Sequence, residues 1–218
     1  YLASRRKGRF LSLITVIAVG GIALGVTALI TVIAVMTGLQ RDLQEKILGN
    51  HPHIYVFEAG QAFRLTNPER VLDEIRGISG VQAADAFVMT QVVALRESIE
   101  YAQFGVLHGI DASSDSEPLT AVQSRIQSGE LAFGPTVTGR PGILVGHRLA
   151  ARLGLLPGDV LTVISGENIK VDPMGNPAPV TREFEVTGTV ETGMYEYDNQ
   201  NLYASIEAAQ DLLELPAD

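Results

Sequence analysis

The sequence predicts an α+β protein: a long N-terminal transmembrane helix with an amphipathic stalk, then a domain in which strands alternate with short helices. Three observations carry this. Residues 10–39, FLSLITVIAVGGIALGVTALITVIAVMTGL, contain no charged residue and no Pro. After them, strand-like runs alternate with short helical runs bounded by caps, Gly and Pro. All 25 Asp and Glu follow the apolar run, whereas Arg5, Arg6, Lys7 and Arg9 precede it.

Thirty apolar residues in a helix reach about 45 Å, against a hydrocarbon core of about 30 Å. Only a helix satisfies its own backbone hydrogen bonds in lipid. A buried core helix rarely stays uncharged for this long, and the apolar region of a signal peptide is only about 7–15 residues. Residues 10–39 therefore read as a transmembrane helix and residues 1–9 as its cytoplasmic flank, whose cations can meet lipid headgroups. The domain that follows reads as lying outside, in the periplasm if the cell is Gram-negative. Beyond residue 10 there are 12 basic residues against 25 acidic ones, a balance that repels nucleic acid. With no Cys, disulfides and thiolate metal sites are excluded. The chain starts on Tyr and stops soon after a helix, so it reads as part of something longer.

Within the span, Gly21 and Gly25 form a small-xxx-small pair that would let another helix pack closely. The alternative is that Gly is simply common in membrane helices. Leu39, Leu43 and Ile47 then continue at four-residue spacing, with Arg41, Asp42, Glu45 and Lys46 on other faces, so residues 40–50 extend the helix as a periplasmic stalk. Gly49, Asn50 and Pro52 end it.

Residues 53–57 (HIYVF) look like a strand. Asn67 caps a helix that has Pro68 at its first position and Val71, Leu72 and Ile75 on its apolar side, ended by Gly77 and Gly80. Residues 81–95 and 101–110 read as a strand pair around the charged turn 96–100. Ser116 and Pro118 open a short helix with Leu119, Val122 and Ile126 on one side. GILVG (142–146) is a buried strand, and the following helix ends at Gly154. A Pro-Gly-Asp turn leads to a strand over 160–164. Residues 183–191, with Phe184, Val186 and Val190, form another strand. Residues 201–206 are the last strand and 207–215 the last helix.

No catalytic, cofactor or metal motif emerges. G-x-x-x-x-G-K-[ST], G-x-S-x-G and H-E-x-x-H are all absent. His51 and His53 lack a third ligand at a metal-binding spacing and read as a surface pair. Glu183 and Glu185 share one strand face as solvated carboxylates. Residues 195–199 (YEYDN) are either a polar loop before a strand or a polar binding patch. The loop over 165–181 differs from these. Its Pro173, Pro177 and Pro179 surround Met174 and Gly175, which resists closing into sheet and predicts a stiffened, projecting arm.

Taken together, the membrane run, RPGILVGHRLAARLGLLPGDVLTVIS, DPMGNPAPVTREFEVTGTV and GMYEYDNQNLYASIEAAQDLL resemble the lipoprotein-releasing ABC permeases, the LolC/LolE family. The resemblance covers nearly the whole chain. It implies a MacB-type periplasmic domain with a porter-like lobe (51–112 and 183–218) and a Sabre-like lobe (113–182), and three further membrane helices beyond residue 218. It also implies a non-catalytic permease that pairs with a second permease, while a separate cytoplasmic ABC ATPase binds the ATP and Mg. Such a complex lifts lipoproteins from the membrane and passes them to a periplasmic lipoprotein chaperone. The 165–181 loop looks like the arm that holds this chaperone, with Pro173, Met174, Gly175, Pro177, Pro179 and Arg182 as contact residues. The loop is slightly longer than the family pattern, and Thr181 stands where a Gln is expected. Alternatives of the same architecture are a MacB-type efflux or FtsX-type permease; a membrane-anchored periplasmic binding domain is the other.

Overall fold

The computed structural model describes the chain apart from residues 1–2, 49–51, 59–63, 66, 97–101, 112–121, 172–174 and 216–218. Side chains at 3–12, 45–48, 168–169, 171 and 177 are likewise left aside. Two compact units result, Tyr1–Ile47 and Leu48–Asp218.

The first unit is almost wholly one helix, α1 (Ala3–Leu48, 46 residues). Its stretch Leu13–Gln44, 32 residues of mean hydropathy 2.5, is long and apolar enough to cross a membrane. Among its threonines, the Thr27 and Thr31 hydroxyls each donate to the carbonyl four residues earlier at 2.8 Å. That satisfies the hydroxyl without leaving the helix. Helical geometry continues unbroken through the described part of the stretch read as a stalk, to Leu48.

In the second unit, α2 (Pro68–Arg76) begins as its sequence dictates: the Asn67 side chain accepts from the Arg70 amide, and Pro occupies the first turn. The sheet comprises β1 (Phe87–Leu95), β2 (Gln103–Ile110), β3 (Ile126–Gly129), β4 (Gly142–Gly146), β5 (Val160–Val171), β6 (Pro177–Val190) and β7 (Asn201–Ser205). Helices α3 (His147–Leu153), α4 (Tyr195–Gln200) and α5 (Ile206–Leu213) alternate with them. Strand order is β3-β6-β4-β7-β2-β1-β5, and β5 also pairs with β6. Six strands thus close into a hydrogen-bonded ring. β3 joins β6 over 188–190, along the edge that β5 leaves at Glu185. The β2–β7 and β4–β6 pairs are parallel, and the rest of the ring is antiparallel.

β4 is buried along its whole length because both of its faces are covered. Ile143 and Val145 join Leu107, Phe184, Leu202 and Leu212 in the main core. Leu144 faces a smaller cluster with Phe133, Val190 and Tyr203. α5 packs against β1, β2, β5, β6 and β7. Gly109 is where it comes closest: a Cβ there would sit 2.7 Å from the Ala209 Cβ. α3 ends at Gly154, whose φ of 61° suits a residue without Cβ.

Several expectations are corrected. Residues 52–58 form no strand; the rings of Tyr55 and Phe57 stack, and both meet Phe87 edge-on at 5.3 and 5.9 Å. Alternating apolar residues supply a face but not a partner edge. β1 begins only at Phe87, opposite Ile110, so 81–86 lie outside it. Ile126 opens a strand against Val190 rather than closing a helix; the rest of that expected helix falls largely outside the described residues. Residues 195–199 are helical, not loop. Asp198 is buried there, and its carboxylate accepts from both the amide and hydroxyl of Thr192 at 2.6 and 2.7 Å. Sheet pairing crosses residue 182: β5 pairs with β6 at Val163↔Arg182 and Thr162↔Glu183.

Candidate functional site

The segment expected to resist sheet pairs instead. After a register shift beyond Ile164, β5 and β6 continue as a two-stranded arm with Ile169↔Pro179, Lys170↔Ala178 and Val171↔Pro177. Residues two apart turn their amide nitrogens to the same strand edge. Pro177 and Pro179 therefore lack donors along one edge only, and the other can still build a ladder. β4 joins β6 only from Glu185 onward, so the arm extends past the ring. Proline on its free edge also discourages further strand addition.

The arm is tied down at its base. Ser165 accepts from the Glu167 amide at 3.2 Å. The Glu167 carboxylate accepts from Thr90 of β1 at 2.7 Å and pairs with Arg64 at 3.2 Å. On the other side, Lys170 reaches Glu214 at 2.5 Å, and Arg182 reaches Asp211 of α5 at 2.8 Å. The hydrogen bond to Asp211 raises the Arg182 pKa above its ordinary value, against a smaller opposing effect of burial. Glu214 is the single non-glycine with positive φ (52°) among the described residues.

Of the residues read as chaperone contacts, Pro173 and Met174 lie outside the described residues. Gly175 is exposed near the turn with φ +89°, a conformation that suits glycine. Pro177 opens β6 and Pro179 is exposed on it. Arg182 is already bonded within the domain. Gly21 and Gly25 sit on α1 with nothing within 4 Å of a Cβ placed on either. Glu167, Lys170, Asp211 and Glu214 went unread, because no local pattern links them to the arm.

Glu183 and Glu185 are more than solvated carboxylates. Arg140 donates to Glu183 at 2.8 Å, and Thr136 and Thr138 donate to Glu185 at 2.6 and 2.5 Å. Those two hydroxyls hold the Glu185 pKa below the ordinary carboxylate value. Together these three contacts pin the turn 135–141, leaving Val137 at its tip fully exposed. His51 lies outside the described residues and His53 is exposed.

Residues 15–216 match the MacB-like periplasmic core domain. The chain belongs to that family. Among relatives of this MacB-like domain is the lipoprotein-releasing system transmembrane protein LolC of Neisseria meningitidis, 31% identical over 99% of this chain and 50% of that protein. LolC of Xylella fastidiosa is 27% identical over 99% of this chain and 50% of its own length. LolE of Haemophilus influenzae is 24% identical over 88% and 46%. The chain spans about half the length of these curated relatives. An N-terminal apolar helix followed by a MacB-like periplasmic core domain fits an inner-membrane protein.

Proposed function

We propose that this chain is the N-terminal part of a LolC-like permease of a lipoprotein-releasing ABC transporter. The observation that carries this reading is likeness to proteins of that name along the entire chain, membrane helix included. Residues 1–9 are cytoplasmic and the second unit is periplasmic. The permease has no catalytic role of its own: a separate ATPase binds ATP and Mg, and a second permease completes the membrane part. Lipoproteins leave the membrane through this complex and pass to a soluble periplasmic chaperone, which the arm over 165–181 holds. Porter-like (51–112, 183–218) and Sabre-like (113–182) parts are two regions built around one continuous strand ring.

A projecting, base-anchored arm supports the chaperone assignment physically. Its ladder and ion pairs order it before any partner arrives, which lowers the entropic cost of association. Co-purification of the full-length permease from native membranes, with partners identified by mass, tests the reading. Recovery of a P-loop ATPase and a second permease is expected. Recovery of efflux-pump adaptors in their place would contradict it.

A further inference from the structure

Among the described residues of the second unit is a cationic point with no acidic partner. The ion pairs of Arg64, Arg140, Lys170 and Arg182 are described above; Arg70, Arg76 and Arg96 also reach carboxylates, at 3.0, 3.6 and 3.1 Å. Arg148 and Arg152 on α3 form no ion pair among the described residues, although acids outnumber bases in the chain by nine. Both converge instead on Tyr195. The Arg148 guanidinium lies 5.0 Å from the centre of the Tyr195 ring. Arg152 donates to the Tyr195 hydroxyl at 3.5 Å and to Gln103 at 3.4 Å. Glu196, next along the chain, pairs with neither.

This arrangement is locally unfavourable. Like charges four residues apart on a helix repel. Arg148 stands in the first turn of α3, where the helix dipole disfavours a cation, and no acidic residue accompanies it there. Only Arg152, in the last turn, suits the dipole. Tyr195 is 57% exposed, so ring and guanidinium groups face solvent together. Arginine and tyrosine are the residue types that dominate protein interfaces, and a guanidinium binds a carboxylate through two parallel hydrogen bonds.

We propose that Arg148, Arg152 and Tyr195 form a docking point for an acidic segment of another protein. A sheet of lipid phosphates would also confront the acidic excess of the chain as a whole, whereas two carboxylates on a polypeptide need meet only the two guanidinium groups. The point is separate from the arm. Gln103 pairs with Ala94, and Ala94 with Val163, so it lies at the start of β5, roughly 20 Å along the strand from the arm's turn.

The test uses the full-length permease in zwitterionic nanodiscs and a fluorescent polyglutamate peptide, with binding read by anisotropy at low salt. Relative to wild type, the Arg148→Gln/Arg152→Gln protein should bind about tenfold more weakly or worse. Arg140→Gln should bind as wild type, and all three should melt alike. Tyr195→Leu should give an intermediate loss. Equal peptide affinity in wild type and the double variant would overturn the proposal. So would a double variant that keeps the peptide but loses binding to phosphatidylglycerol vesicles, which would assign the point to lipid headgroups.

Discussion

Arg182, expected as a partner contact, is engaged first within its own domain by Asp211. Its side chain is 40% exposed and that of Asp211 68%, so solvent screens their attraction. A double-mutant cycle on Arg182→Ala and Asp211→Ala should give a coupling of only about 0.2–1 kcal/mol, read by thermal unfolding. Phe184 belongs to the opposite regime. It is the largest of the fully buried side chains, and Phe184→Ala should cost about 3–5 kcal/mol, seen as a large fall in melting temperature. Glu185 adds a pH dependence. Its folded pKa lies below the unfolded value, so its contribution is present above the unfolded pKa and lost as pH falls through the folded one. Protection of the 135–141 amides, relative to intrinsic exchange, should therefore fall in wild type as pH drops below the ordinary glutamate range, and the Glu185→Gln protein should lack that transition.

Elements were legible wherever their ends are set by local chemistry. Asn67 with Pro68, and Gly154, bound their helices as read because caps act within one turn. The arm was misread because three prolines looked incompatible with sheet, whereas Pro177 and Pro179 share one edge. β3 was missed because its pairing with β6 lies some 60 residues away in sequence, beyond the reach of any local pattern. α5 offers a test of the arm's anchor. Glu214→Gly would relieve a left-handed strain of roughly 1 kcal/mol and lose an exposed ion pair of similar size. Melting should change little, yet amide exchange over residues 169–171 should rise; unchanged exchange would mean that Lys170 and Glu214 do not steady the arm. For α1, Gly25→Leu should insert normally but weaken assembly with the second permease. Unimpaired complex yield would mean that this face meets only lipid.

At the scale of the chain, the long apolar helix and the acidic domain after it could be read from composition, and the ring could not. Ring closure depends on β5 pairing with both β1 and β6, a long-range fact that no window of sequence contains. Candidate contact residues could be nominated from resemblance, but the ties to Asp211 and Glu214 come only from the folded chain. The proposed orientation rests on the basic flank. A Cys replacing Ser4 should be protected from an impermeant thiol reagent in cells with a permeabilised outer membrane, while a Cys replacing Val137 should react; the reverse pattern would place the domain in the cytoplasm.

The central claim is that the arm holds the lipoprotein carrier while the ring supports it. Replacing residues 172–179 with a short Gly/Ser turn removes the arm's outer ladder and leaves the ring pairs over 160–164 and 181–185 in place. In the full-length complex, permease assembly and ATP hydrolysis should persist, while capture of the periplasmic chaperone, measured as binding affinity, should fall sharply. Chaperone affinity unchanged from wild type in a normally assembled complex would contradict the account.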